Sequence, residues 1–327
     1  MRLSTTRIEN PATLAAIVLS AWLAGSSALQ AAVLRAWGEN NCRQCRVPED
    51  TNFVDAACGW EYTLGLRADG SLLGWGADWG GVSEDPPEGN DFVDVAAGYE
   101  HALALRQDGS LVAWGCNASH QCDIPEGSDF VAIGCGNYFG VALRSDGALT
   151  AWGEIRAIPG GSDFVAVAPG AFHILALRAD GSLAAAGDST HGECDVPAGN
   201  DFVSIAAGLR GSHGLALRAD GSLAAWGRNI EGQCNVPTGN DFAAIATGGD
   251  FSVAIREDGS LVAWGANDDG QCDVPGGNRF TAVACGTSHA MAIEVPEPAT
   301  LWLLASAALA GIALRRQTAR GRSSPRP

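Results

Sequence analysis

The chain contains no lysine; all 20 of its basic residues are arginine. A phosphate-loop lysine and a Schiff-base lysine are therefore both excluded. Charge of either sign is scarce, 17% of 327 residues, whereas glycine is abundant at 43. That combination argues against an ordinary helical protein and for frequent turns. Residues 29 to 296 hold 13 arginines against 35 acidic residues, a formal balance of −22, and a body so acidic repels nucleic acid and anionic membrane surfaces. No nucleophile-elbow serine, metal triad or nucleotide-binding motif occurs, so no reaction class is written in the chain and no cofactor or metal is expected. The apolar content of 46% still suffices for a large core.

Long apolar runs are confined to the two ends. Arg2 and Arg7 precede "ATLAAIVLSAWLAG", and Ser26 and Ala28 place small residues where a signal peptidase reads them. Residues 1–28 are thus expected to be a signal peptide. At the other end Val295, Pro296, Glu297 and Pro298 lead into the 16 mostly apolar residues 299–314, followed by Arg315 and Arg316. With polar flanks, such a run can cross a thin bilayer, basic end inside. Motif, short apolar helix and basic finish together resemble the PEP-CTERM sorting tail, here residues 295–327. That resemblance implies transient membrane anchoring, processing by an exosortase, and passage from an inner-membrane intermediate to the surface or matrix of a Gram-negative-type bacterium.

Between the ends the chain repeats itself. Asp-Gly pairs at Asp69, Asp108, Asp146, Asp180, Asp220 and Asp258 are separated by 39, 38, 34, 40 and 38 residues, and each opens a variant of "DGSLxAWG". Upstream of each lies a version of "DFVxIAAG" and then of "HALALR". The segments are short and apolar with no helical spacing, and Asp-Gly between the last two is a strong hairpin signal. First strands begin at Phe53, Phe92, Phe130, Phe164, Phe202, Phe242 and Phe280; third strands end at Trp37, Trp75, Trp114, Trp152, Ala186, Trp226 and Trp264. "VLRAWG" lacks an upstream partner and "HAMAIE" lacks a following strand. An all-β, seven-bladed propeller over residues 29–294 satisfies both, with blades of three to four short antiparallel strands and the N-terminal strand closing the ring and removing its open edges.

The stretches "AWGxNxxGQCxVP", "VxIAAGxxHxLAL" and "DGSL" resemble the regulator-of-chromosome-condensation repeat in its short exported bacterial form. As a marker of fold the resemblance is strong; the propeller hosts unrelated activities, so it is weak for function. The eukaryotic namesake is a nucleotide-exchange factor on chromatin, and an exported acidic protein meets neither of its partners. A secreted β-lactamase-inhibitor protein of similar shape, which binds its target with one face, is the nearer parallel.

Cys45, Cys122, Cys194, Cys234 and Cys272 occupy one register in five blades, too far apart to pair, and read as small buried hydrophobes. Cys42 with Cys45, or Cys116 with Cys122, could form local bridges; Cys58 and Cys285, made neighbours by closure, are the candidate ring-stapling disulfide. His101, His173, His213 and His289 share a slot with Tyr62, Phe139 and Phe251, so they read as packing residues. The arginines before each Asp-Gly read as closing the hairpin. Asp268 and Asp269 look like the start of a calcium loop, but equivalent loops lack both, so a metal is not the reason for that motif.

Variation concentrates in the loops after each strand-ending glycine. They carry Trp60, Tyr99, Tyr138 and Phe172 in four consecutive blades, with Glu61, Glu100, Arg210 and Asp250 among them. Aromatics rimmed by charge are the composition of a binding face. The expectation is an exported, monomeric, non-catalytic binding module for a protein or glycan partner. The alternatives are a structural matrix component without a specific partner and a polysaccharide-active enzyme that pairs Glu61 with Glu100.

Overall fold

The computed structural model describes residues 32–49 and 52–295. The proposed signal segment and the tail residues Pro296, Glu297, Pro298, Arg315 and Arg316, with the apolar run 299–314, lie outside them. Every regular element described is a β-strand. After β1 (Val33–Gly38), blade I is β2 (Phe53–Cys58), β3 (Tyr62–Arg67) and β4 (Leu72–Gly76), and blade II is β5 (Phe92–Ala97), β6 (His101–Arg106) and β7 (Leu111–Gly115). Blade III is β8 (Phe130–Cys135), β9 (Phe139–Arg144) and β10 (Leu149–Gly153), and blade IV is β11 (Phe164–Pro169), β12 (His173–Arg178) and β13 (Leu183–Gly187). Blade V is β14 (Phe202–Ala207), β15 (His213–Arg218) and β16 (Leu223–Gly227), and blade VI is β17 (Phe242–Thr247), β18 (Phe251–Arg256) and β19 (Leu261–Gly265). Blade VII consists of β20 (Phe280–Cys285), β21 (His289–Glu294) and the returning β1.

Each blade is an antiparallel sheet of three strands, and first strands touch first strands all the way round, from β2 to β5 through to β20 and back to β2. The first strand is thus innermost, the third outermost, and the ring is closed. No sheet is large enough to bury both faces alone, so the core lies between blades, in seven clusters.

The repeat's signature residues account for these contacts. Second and third strands turn at Asp-Gly, where Asp69 Oδ1 accepts from the backbone N–H and hydroxyl of Ser71, at 3.0 and 2.7 Å, a bond pair repeated in four other blades. The glycine is required: Gly70 has φ +80°, and a Cβ there would meet the Asn90 carbonyl at 2.4 Å. The sequence suggests that the arginine before this turn closes the hairpin, but its main partner is elsewhere. In blades II to VI it reaches back to the first strand, pairing with the aspartate that precedes it and lying 4.3–4.7 Å above the phenylalanine that opens it. Arg67, with Asn52 in the aspartate's place, bonds Ser71 instead, at 3.1 Å.

Third-strand tryptophans join neighbouring blades. The indole N–H of Trp37, Trp75, Trp114, Trp152, Trp226 and Trp264 donates to a carbonyl in the loop leading into the blade, at 2.8–2.9 Å. Blade IV has Ala186 in this place, and the loop ahead of it, residues 154–163, is four residues shorter than most of the others. The loops carrying the repeated cysteine are built around it. Cys122 N–H donates to Asn117 Oδ1 at 2.8 Å, and its thiol donates to the carbonyl six residues back at 3.3 Å. The thiols of Cys45, Cys194, Cys234 and Cys272 do the same at 3.1–3.5 Å. These cysteines are half-buried hydrogen-bond donors rather than inert hydrophobes.

Closure does not use a disulfide. All ten cysteines are thiols, and Cys58 Sγ points at the Ala284 carbonyl, 3.8 Å away, rather than at Cys285. Instead the ring closes through β1 on β21, in register from Val33↔Glu294 to Gly38↔His289, and through a reversal of charge. Where five blades have aspartate before the first strand and arginine ending the second, blade VII has Arg279 and Glu294. Glu294 accepts from Arg279 Nη2 at 3.0 Å and from Arg35 Nε of the returning strand at 2.8 Å. Arg35 stands where the other third strands have Leu, Val, Thr or Ala. Both bonds hold the Glu294 carboxyl below the ordinary carboxylate range. Glu294→Ala is expected to cost about 1.5–3 kcal/mol, the range for hydrogen bonds to charged groups, in thermal unfolding at neutral pH. That difference should shrink as pH falls through the lowered pKa and the carboxylate is lost; an equal loss from Glu257→Ala on the surface would show that closure has no special role.

Candidate functional site

The loop between first and second strands is held at both ends. In six blades the N–H of the strand-ending glycine donates to the carbonyl of the residue opening the second strand, 2.8–2.9 Å away. In all seven, a loop carbonyl accepts the N–H that follows the third strand, at 2.7–2.9 Å, as Glu61 does from Ala77 and Phe172 from Asp188. In six blades the loop backbone is thus fixed and the side chains vary; blade V differs in loop length. Beneath it the slot residues join blade to blade. Tyr62 Oη donates to the His101 carbonyl at 2.6 Å, His213 Nε2 meets Ser252 Oγ at 3.0 Å, and His289 Nε2 meets Thr63 Oγ1 at 3.2 Å across the closure. Burial pushes His101, His173, His213 and His289 down to about 4, so all four are neutral at physiological pH.

On this platform the four expected aromatics form one ladder. Trp60 and Tyr99 stack nearly parallel at 4.3 Å, Tyr138 meets Tyr99 edge-on at 5.6 Å, and Phe172 follows Tyr138 at 6.2 Å. Beyond Trp60 the ladder gains Trp79, stacked at 5.6 Å, from the loop between blades I and II. Sequence reasoning missed Trp79. Its signal was a subtraction: of ten tryptophans, six end third strands and two lie in the terminal segments, which leaves Trp60 and Trp79.

Arg210 comes from blade V, whose loop is two residues longer. With φ +59° it projects its guanidinium to 5.9 Å from the Trp60 ring and 5.7 Å from that of Tyr99, within cation–π range. A left-handed backbone at a non-glycine residue costs roughly 1–2 kcal/mol, so this placement is held against strain. Desolvation raises the Tyr99 phenol, Arg210 partly opposing it, and Tyr138, Glu100 and Glu61 raise it further. Tyr99 therefore presents an O–H donor.

Other expected members are placed differently. Asp250 is paired with Arg228 and accepts from Gln233 Nε2 at 2.8 Å, so it anchors a loop rather than offering a free charge. Glu61 takes the Cys42 thiol on its carboxylate, 3.7 Å away. Phe172, 41% exposed, ends the ladder beside a depression of about 220 Å³ lined by Asp188, Thr190, His191 and Ser212.

Below the platform, on the innermost strands, Asp55 and Asp94 stand at one register in blades I and II, where the other blades have Ala or Ser. Both are half-buried, with part of each side chain open to solvent. Desolvation pushes both carboxyls up, and Asp94 is raised further by the charge of Asp55. A raised folded pKa means stability fully present below the ordinary carboxylate pKa and lost as pH rises toward the folded value. Asp94→Asn is therefore expected to stabilise the protein by more than about 1 kcal/mol at pH 8, with no gain near pH 3.5. Denaturant titrations at both pH values check this, and a gain independent of pH would contradict it.

Taken with this geometry, the comparisons place the chain. Residues 92–121, 202–233 and 242–271 match the regulator of chromosome condensation (RCC1) repeat, and residues 294–317 match the PEP-CTERM protein-sorting motif. The protein is a propeller carrying RCC1 repeats and an export-sorting motif of the exosortase system, which delivers proteins to the cell surface in Gram-negative bacteria. Among solved structures it is similar to Prp20p of Saccharomyces cerevisiae, described with its binding to Gsp1p and histones (18% identity, 83% of this chain and 93% of that one, TM-score 0.70). It is also similar to human WBSCR16 (17%, 82% and 100%, 0.67) and to the receptor kinase CR4 ectodomain of Physcomitrella patens (22%, 71% and 68%, 0.61). At these identities the likeness is one of fold. No curated protein matches the chain in sequence. Among the described residues no helix is long and apolar enough to cross a membrane, and no group of three or more His, Cys, Asp or Glu could hold a metal ion.

Proposed function

We propose that the protein is an exported, non-catalytic binding module that captures a protein partner on the face carrying Trp79, Trp60, Tyr99, Tyr138 and Phe172. The observation that carries this reading is the ladder itself, five aromatic rings in contact across four blades on a hydrogen-bonded platform. Trp, Tyr and Arg dominate interface hot spots, and rigid rings lose little entropy on binding.

The stacking also bears on the kind of partner. Trp60 stacks on both Tyr99 and Trp79 and lies within cation–π range of Arg210, so its ring is engaged by its own neighbours. A pyranose lies flat on a free ring face; a protein surface packs against edges and meets hydroxyls with backbone groups. Glu61 and Glu100 then serve as rim charges that set orientation and encounter rate. The catalytic alternative gains nothing from the geometry, since the Glu61 carboxylate is engaged by the Cys42 thiol.

Replacing Trp60, Tyr99 and Tyr138 together with Ala is expected to reduce partner capture from the extracellular fraction of producing cells by more than tenfold. Because the side chains sit above the slot layer, the circular dichroism of the ring should be unchanged. Undiminished capture by the folded triple variant would dismiss the site; capture only of glycans would dismiss the protein partner.

A further inference from the structure

A second feature lies on the outer wall of blade I, away from the aromatic face. A groove of about 400 Å³ runs over β4 between the loop carrying Arg43 and Arg46 and the loop carrying Ser83, Glu84 and Pro86. Its floor is Leu73 to Gly76 of the outermost strand. Three of its residues depart from the repeat, and two of the departures carry a cost.

Arg43 has φ +69°, and the same turn position is Gly192, Gly232 or Gly270 in three other blades, with φ of +75° to +83°. Arginine there bears left-handed strain that glycine avoids. Arg46 stands where other loops have Asp123, Asp195, Asn235 or Asp273. Three of these, Asp123, Asn235 and Asp273, accept the side-chain N–H of the loop's asparagine at 2.8–3.0 Å and so close the loop. An arginine cannot accept, so that bond is given up. The third departure is Gly74, where every other third strand has alanine; a Cβ would lie 2.3 Å from the Ser83 carbonyl, so glycine lets the second loop settle onto the strand.

The result is two cations on one groove of a strongly acidic body. Most other arginines described here bond a carboxylate or a hydroxyl; among the described residues neither the Arg43 nor the Arg46 side chain has a hydrogen-bond or ion-pair partner. Strain accepted to place an unpaired charge points from outlier to function.

We propose that this groove binds a hydroxylated monocarboxylate of the uronic-acid type, with Arg43 and Arg46 taking the carboxylate. Guanidinium groups match a carboxylate's planar geometry with paired N–H donors. Glu84 leaves the groove a net charge near +1, which suits one carboxylate and opposes a phosphate or a densely charged polymer; the same Glu84 accepts from sugar hydroxyls. Trp75 supplies an apolar wall for the ring carbons. The volume is that of a small-ligand site. The ligand's source is either a free sugar acid or one unit of an acidic polysaccharide.

Calorimetric titration of the full-length chain tests this with galacturonate, galactose, inorganic phosphate, tri-galacturonate and a short Glu-rich peptide. Galacturonate should bind at least tenfold more tightly than galactose, phosphate or the peptide. Arg43→Gly and Arg46→Asp should each weaken it at least tenfold. Both restore the residue other blades use, so neither should lower the unfolding temperature, and Arg43→Gly should raise it. Tri-galacturonate binding more tightly than the monomer supports the site with a polymer as source; equal binding supports it with the free sugar acid. Equal affinity for galactose, tighter binding of phosphate or peptide, or undiminished binding by the double variant would overturn the proposal.

Discussion

A three-stranded sheet exposes two faces and cannot bury either by itself, so everything in this molecule depends on the contact between one blade and the next. Apolar packing supplies most of that contact, at roughly 25 cal/mol for each Å² removed from water, but it is not directional. Direction comes from two hydrogen-bonded couplings at different radii. The slot residues, Tyr62 or a histidine, reach the neighbouring blade beneath the inner loops. The tryptophans anchor each outer strand to the loop that enters its blade. Each such bond contributes about 0.5–1.5 kcal/mol net; the tryptophan bond recurs in six blades and the slot bond in three, and together they orient the blades as well as hold them. Loops above this frame are then free to change side chains without moving backbone, which is the condition for a binding face on a repeat protein.

Closure adds a different constraint, because the last blade is assembled from both ends of the chain. If all seven blades carried the same aspartate and arginine, the returning strand would meet a site chemically like any other. Reversing the pair to Arg279 and Glu294, and placing Arg35 at a position apolar or uncharged elsewhere, gives the last blade a partner that only β1 satisfies. One carboxylate between two arginines is thus a register device, and it performs the role that a Cys58–Cys285 bridge would have had.

The ring could be read from periodicity because the residues that make it recur: the Asp-Gly turn, the opening phenylalanine, the strand-ending tryptophan. The N-terminal strand and the incomplete last unit are complementary in sequence, and β1 pairs with β21 accordingly. Exceptions were legible as facts but not as causes. Ala186 in place of tryptophan coincides with the short loop 154–163, and the arginine's main partner, an aspartate 15 residues earlier in most blades, is invisible until the first and second strands pair. The candidate face was half visible. Position in the repeat located Trp60, Tyr99, Tyr138 and Phe172, but Trp79 belongs to another loop, and Arg210 reaches Trp60 across the ring, a contact that no linear spacing encodes. Asp55 and Asp94 escaped notice because two aspartates in apolar strands look like ordinary surface alternation until the strands prove innermost.

In a repeat protein the sites that carry function are those where the repeat is broken at a cost, and the cost distinguishes them from drift. Among the described residues three non-glycines have left-handed backbones: Arg43, His120 and Arg210. His120 occupies the same turn as Arg43, yet its loop keeps the acceptor, Asp123, which bonds both Asn117 and the His120 ring, so the strain there is offset locally. Arg43 and Arg210 have no such local return. Arg210 is aimed at an aromatic stack, and Arg43 stands beside Arg46, which has no partner among the described residues and occupies the place where an aspartate would have closed the loop. Strain that the surrounding loop does not offset points from the outlier to function, which is the ground on which both proposed sites stand.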